Sequence, residues 1–431
     1  MVETLVISAL TILLMIASII FLPTMKIGKW TISPYWAVAL GGALLLMLFG
    51  AVNQGEITSG FLSDSAINPV KILTLFLSFT IFSIFLDEIG FFSYMAAKAA
   101  LRAKHSQRAL FTWLYVATSV LTVFTANDIV ILTLTPFIIY FAKNAKINPL
   151  PYLVMEFVAA NTWSMLLVIG NPTNIYLATS FQIDFIGYFL KMALPTISAG
   201  LLSYGLMRFI FRKSLDAPLD VETTVKVPPK GLLIIGVIHL TVSTVLISVA
   251  SYIGLEMWLF TFTGAISLFL TTLVYLAIIR QKPTILLRVL KRIPYALAPF
   301  MLSMTILVIA LDKQNVPLLL AQSLMGLNPL FSFGFSSFLF ANVMNNIPMS
   351  ILFTEVLGSV SSGSLGIVYA TIIGSNIGAI LSPIGALAGI MWMSILKREG
   401  IKYSYGTFLR YGLGIAVPLI LISILSLSLL F

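Results

Sequence analysis

Residues 109–142 read ALFTWLYVATSVLTVFTANDIVILTLTPFIIYFA, and residues 328–357 read NPLFSFGFSSFLFANVMNNIPMSILFTEVL. As one continuous helix the first would be about 50 Å long, against ~30 Å of bilayer hydrocarbon. Each stretch is apolar at its ends and polar at its centre, with Thr125, Asn127 and Asp128 in one and Asn342, Asn345 and Asn346 in the other. A re-entrant hairpin, entering and leaving on one side with its polar tip at depth, accommodates both facts. Non-helical backbone persists at that depth only when it is buried in protein or faces a polar cavity.

The composition agrees with a membrane protein. Of 431 residues, 59% are hydrophobic and 9% charged, where a soluble domain carries about 25% charged residues. The absence of cysteine excludes disulfides, thiolate metal sites and cysteine nucleophiles. The two histidines, His105 and His239, show no spacing for a zinc site or a catalytic triad. No nucleophile–base pair supports a membrane-embedded enzyme, so the expectation is a non-enzyme without a cofactor or metal. No Walker motif is present, so any transport must be driven by an ion gradient or by a separate ATPase.

Simple spans fall near 3–22, 34–52, 70–87, 185–210, 231–250, 257–279, 294–311 and 406–430. The first lacks the basic start and small-residue cleavage site of a signal peptide. Two longer stretches, 151–180 and 366–396, are interrupted by Gly, Pro and Asn and read as broken helices. The expected fold is therefore all-α and integral to the membrane, with about ten transmembrane helices plus two re-entrant hairpins. If neither hairpin crosses, the loops near Lys26/Lys29, Lys98–Arg108, Lys143/Lys146, Arg208–Lys230, Arg280–Arg292 and Lys397–Arg410 share one face. They hold every Lys and Arg except Lys71, Lys191 and Lys313, while Glu56, Asp64, Asp184, Glu256 and Asp312 lie opposite. That is the positive-inside pattern. It predicts a multi-pass cell-membrane protein with both termini outside, and it reads the net charge of +10 as topology rather than nucleic-acid binding.

The hydrophilic segment 216–230 divides the chain into halves 1–215 and 231–431. Each half reads as three spans, a hairpin, a broken helix and a final span. Leu86-Asp87-Glu88 is answered by Leu311-Asp312-Lys313, the 124–128 tip by Phe340 to Asn346, and Gly170-Asn171-Pro172-Thr173-Asn174 by Ser382-Pro383-Ile384-Gly385. Five crossings per half is odd, so the second half enters the membrane upside down. Such inverted repeats organise many secondary transporters.

Broken helix ends offer oriented amides to an anion and free carbonyls to a cation, and Asn adds donors and acceptors. The candidate substrate or ion site gathers Thr125, Asn127 and Asp128 with Gly170, Asn171, Thr173 and Asn174, then Asn342, Asn345 and Asn346 with Ser382 and Gly385. The rival reading is that these residues only satisfy hairpin tips and kinks. Asp128, an acid at depth, is the candidate for a coupling cation or proton, and otherwise a structural acceptor. Asn161 and Asn376, on the approaches to the two breaks, are secondary candidates; interhelical hydrogen bonding is their rival role. Glu156 reads as a helix-start acid, His239 as an interhelical hydrogen-bonding group, and Lys71 as a snorkelling cation.

The run Leu86 to Phe92, the Phe124–Asp128 tip, Leu134-Thr135-Pro136, Met344 to Pro348 and Ser382 to Ala388 resemble the arsenical pump membrane proteins, the arsenite/antimonite permeases. Those belong to the wider ion transporter superfamily. The resemblance runs from roughly residue 35 to the C-terminus. It implies a scaffold and a transport domain, with substrate held between two hairpin tips and two helix breaks, an elevator-like movement and often a homodimer. It also implies that Asn127, Asp128, Asn345 and Asn346, joined by Asn171, Thr173, Asn174, Ser382 and Gly385, contact the cargo. The chain departs from those permeases where it has Asn161 and Asn376 for acids and Ala379 for a Lys, and its Gly170–Asn174 break is similar to other superfamily branches. An arsenite/antimonite permease-like transporter is the first expectation, and a sodium- or proton-coupled carboxylate or sulfate symporter the second.

Overall fold

The computed structural model describes all residues except 1, 23–24, 28–29, 33, 63–67, 104–105, 220–225, 327 and 361–364, and leaves the side chains of 26–27 and 30–32 undescribed. Asp64, His105 and the middle of the 216–230 linker thus lie outside the described residues.

The first half builds α1 (Val2–Phe21), α2 (Tyr35–Leu48), α3 (Gln54–Leu62), α4 (Pro69–Glu88), α5 (Phe91–Arg102), α6 (Gln107–Phe124), α7 (Asn127–Asn144), α8 (Leu150–Trp163), α9 (Pro172–Ser180) and α10 (Phe185–Ile210). After the short α11 (Arg212–Leu215), the second half builds α12 (Lys230–Ala250), α13 (Met257–Ile278), α14 (Thr284–Arg292), α15 (Leu297–Asp312), α16 (Val316–Met325), α17 (Pro329–Met344), α18 (Asn346–Gly358), α19 (Leu365–Leu381), α20 (Leu387–Arg398) and α21 (Tyr405–Ser428). The order of elements repeats, down to the short helices α3 and α5 answered by α14 and α16. A 3₁₀ turn sits in each break, at Val168–Gly170 and Pro383–Gly385. One two-stranded antiparallel ribbon, Met25–Ile27 with Trp30–Ile32, adds a small β element to the expected all-helical chain.

Local chemistry sets these boundaries. Asn68 caps α4 by accepting from the Val70 and Lys71 amides at 3.0 Å, with Pro69 at the first helical position. Asp184 caps α10 through the Gly187 amide at 2.8 Å, and Asn328 and Ser404 cap α17 and α21. Among the described residues, seven helices are long and apolar enough to cross a bilayer. With the shorter α2 and the two broken helices, they supply the roughly ten spans expected.

Burial divides these spans. Every residue of α19 from Gly366 to Leu381 is buried, as is α8 from Pro151 to Thr162, so the two broken helices form the core. Helices α12 and α13 are mostly exposed apolar surface, which suits lipid. Helix α19 packs closely on α17, where a Cβ on Gly374 would strike Ser337 Oγ and the Gly334 carbonyl. Small residues of this kind let membrane helices approach.

Ion pairs test the loop assignment. Lys71 meets Glu256 at 2.7 Å and Lys313 meets Glu56 at 2.8 Å, all four on the acidic face. Arg288–Glu88 (2.7 Å), Arg292–Asp87 (2.6 Å), Arg108–Asp216 (2.6 Å) and Lys143–Glu399 (3.3 Å) all join segments of the basic face. Among the described residues, no ion pair joins the two groups of loops.

Candidate functional site

Both polar-centred stretches break at their polar residues. Helix α6 ends at Phe124 and α7 begins at Asn127; α17 ends at Met344 and α18 begins at Asn346. Thr125 turns its hydroxyl onto the Leu121 carbonyl at 2.6 Å, and the Ala126 amide donates to Ser83 Oγ of α4 at 3.3 Å. Asn345 occupies the second tip with φ +73° and ψ +152°, outside the left-handed helical region and a conformation that any side chain adopts at a cost.

Three hydrogen-bonded knots follow. In the first, Asn127 donates to Asn161 Oδ1 at 3.3 Å, and Asn161 donates to the Phe157 carbonyl at 2.8 Å. Asn127 Oδ1 is buried without a partner. In the second, Asn376 reaches from α19 into the first break. Its Oδ1 accepts from Ser164 Oγ and Asn171 Nδ2, each at 3.0 Å, and its Nδ2 donates to Asn174 Oδ1 at 2.7 Å. Ser375 donates to Thr173 at 3.1 Å beside it. Asn171 also caps α9, accepting from the Thr173 amide at 3.1 Å. In the third knot, hairpin two holds the second break. Asn342 donates to the Gly378 carbonyl at 2.9 Å and accepts from Ser382 at 2.6 Å, and Asn345 donates to the Ile384 carbonyl at 2.9 Å.

The glycines fit tight backbone. A Cβ at Gly170 would collide with the Ser164 carbonyl oxygen; one at Gly385 would lie 2.7 Å from the Gly378 carbonyl and 3.1 Å from Asn342 Oδ1. Asn346 is buried, with no side-chain hydrogen bond among the described residues. Asp128 parts company with Asn127. It lines a cavity of about 410 Å³ with Thr80, Tyr35, Arg292, Leu387 and Ser394, and makes no side-chain hydrogen bond among the described residues. Thr80 Oγ1 in that wall is buried and unpartnered.

Glu156 lies deep inside α8 and accepts from Thr135 at 3.0 Å, so it serves the packing of α7 on α8 rather than a helix start. His239 bonds Ser267 across α12 and α13 at 3.1 Å, the interhelical role expected, and Lys71 is held by Glu256. Sequence reasoning missed Ser164, Ser375 and Thr80. The spacing Asn161-x-x-Ser164 and the adjacency Ser375-Asn376 carried the signal for two of them: small hydroxyls one turn from, or next to, a buried amide. Nothing in the sequence brought Thr80 to hairpin one.

Comparison with known proteins places the chain. Curated relatives named arsenical pump membrane protein, from Yersinia enterocolitica and Escherichia coli (strain K12), are each 27% identical over 96% of this chain and 99% of theirs. The expected resemblance therefore holds across almost the whole length. The fold is similar to the Alcanivorax borkumensis YdaH transporter, a crystal structure described as having an unusual topology. That likeness has a TM-score of 0.55 at 16% identity and covers 100% of this chain and 96% of that one. The profile of the citrate transporter family matches residues 12–368. With that match spanning most of the sequence and the helices long enough to cross a bilayer, the chain belongs to the citrate transporter family of multi-pass membrane transporters.

Proposed function

We propose that this protein is a secondary active transporter of a small inorganic oxyacid of the arsenite/antimonite type, held between the hairpin tips and the helix breaks. The observation that carries this reading is the chemistry of the central knots. They are made of amides and hydroxyls, with no charged side chain among the described residues, and they leave Asn127 Oδ1 as an unused acceptor. Arsenous acid is protonated at neutral pH and presents three hydroxyls, each donor and acceptor. Asn, with both capacities, suits it. A multiply charged anion at this depth calls for countercharge.

In this proposal halves 1–215 and 231–431 are inverted repeats joined by the cytoplasmic linker 216–230, and stretches 109–142 and 328–357 are re-entrant. The repeated order of elements and the ion pairs confined to each face support it. Both termini lie outside the cell membrane. Access alternates by an elevator-like shift of hairpins and broken helices, coupled to a proton or sodium ion at Asp128, in a homodimer or with a separate ATPase.

A second reading, a sodium- or proton-coupled carboxylate or sulfate symporter, is favoured by the family's description. Everted vesicles separate the two. Arsenite accumulation driven by a pH gradient, with resistance in a transporter-deficient host, is expected. Absent arsenite flux with sodium-dependent carboxylate uptake would replace the first reading by the second.

A further inference from the structure

The end of α1, helix α20 and the segment Gly400–Tyr405 enclose a second cavity, of about 580 Å³, on the basic face. Its wall is apolar, with Ile20, Ile384, Ile390 and Met393, and its rim carries Lys397 and Lys402. Neither lysine forms an ion pair among the described residues. The nearest acid in sequence, Glu399, is engaged by Lys143 at 3.3 Å and Arg398 at 3.7 Å. No Asp or Glu lines the cavity among the described residues. Ile20 continues into Phe21 and Leu22, 78% and 55% exposed, so the apolar wall runs into surface that faces hydrocarbon. An apolar hollow open to lipid beneath a pair of uncommitted cations has the polarity of a phospholipid with an anionic head.

We infer that this cavity binds an anionic phospholipid, its phosphate on Lys397 and Lys402 and an acyl chain against Ile20, Ile390 and Met393. The site borders the third knot at Pro383 and Ile384 and the Asp128 cavity at Ile19, Ile390 and Ser394, and it stands whether or not the proposed cargo is correct. Its consequence reaches that knot through Ile384, whose carbonyl holds Asn345 of hairpin two at 2.9 Å. Lipid in the cavity bears on the second break and raises transport.

The test uses the full-length protein in detergent, titrated with fluorescent phosphatidylglycerol and with phosphatidylcholine, and then reconstituted in vesicles of each. Phosphatidylglycerol binds tighter, and less so as salt rises. Lys397→Gln with Lys402→Gln weakens it about thirtyfold, about fivefold per lysine, while the double Arg variant keeps it. Equal affinity for the two lipids, or unchanged phosphatidylglycerol affinity in the double Gln variant, overturns the inference. So does a variant that keeps its lipid but raises KM for the transported substrate, since the lysines would then serve the cargo. Because binding is read without transport, a failed flux assay leaves this result standing on its own.

Discussion

Asn376→Ala should unfold the centre of the molecule more than any other single amide truncation at the site. Three of its four side-chain hydrogen bonds cross between helices, to Ser164, Asn171 and Asn174; the fourth returns to the Ile372 carbonyl of its own helix. The partners do not lose equally. Ser164 keeps its bond to the Asn161 carbonyl at 2.9 Å. Asn171 Nδ2 and Asn174 Oδ1 lose the only partners they have among the described residues, and both residues are buried. Interhelical hydrogen bonds in membranes average ~0.6 kcal/mol, which gives about 2 kcal/mol for the three. Two buried polar groups left dry cost about 1–3 kcal/mol each, which sets a ceiling near 6 kcal/mol. Asn161→Ala breaks one cross-helix bond, at 3.3 Å, and strands only Asn127 Nδ2, so the same two rules give about 0.6 kcal/mol with a ceiling near 3 kcal/mol. Equilibrium unfolding by SDS in mixed micelles measures both. A loss for Asn376→Ala within ~0.5 kcal/mol of wild type, or a larger loss for Asn161→Ala, would refute the account of the central knot.

Gly170→Ala should destabilise by about 1–3 kcal/mol in the same titration, since the added methyl meets backbone that cannot rotate away; wild-type stability would mean that the break has slack. Asp128→Asn should leave stability unchanged, because the carboxylate has no hydrogen bond to lose among the described residues, yet lower flux at least about tenfold as an acid at depth is removed. Unchanged flux and ion dependence would remove Asp128 from the mechanism. The Lys313 hydrogen bond lowers the Glu56 carboxyl below its ordinary 4.5. A depressed acid stabilises above its unfolded pKa and loses that contribution as pH falls through the folded value, so the contribution of this pair should fade only below about pH 4.5. Lys313→Gln should shrink that acid-dependent increment, the Asn53 amide at 2.8 Å keeping the rest, which unfolding curves at pH 7 and pH 3.5 can check.

The fold was legible where composition and period speak loudly. Runs such as 231–250 and 257–279 are apolar throughout, and the structure places α12 and α13 there within a few residues. Both breaks were legible because Pro172 and Pro383 cannot continue a helix and the surrounding Asn and Gly advertise unpaired backbone. Short amphipathic helices were harder. Helix α14 reads as a loop because three of its nine residues are Arg or Lys, and only packing on α4 through Ile285, Leu286 and Val289 makes it a helix. At the breaks, residue type pointed to the side chains that hydrogen-bond there but not to their pairings. Asn376 and Asn171 are 205 positions apart, and no local signal says that one enters the other's break. Asp128 shows the same limit: its sequence neighbour joins the amides, while a single step along α7 turns Asp128 toward another cavity.

The ion pairs that hold each face together also set a timetable for synthesis. Glu56 waits for Lys313, Glu88 for Arg288, and Lys143 for Glu399, separations of 200 to 257 residues. At ribosomal speed that is roughly ten to fifty seconds of bare charge on the nascent first half. During that interval the unfinished product carries, besides helix faces not yet packed, charges without counterparts, which a membrane protease or insertase can recognise. A chain stopped after residue 230 never leaves the interval. Pulse-labelled, it should disappear faster than the full-length protein, and faster still than the same fragment with Glu56 and Glu88 neutralised.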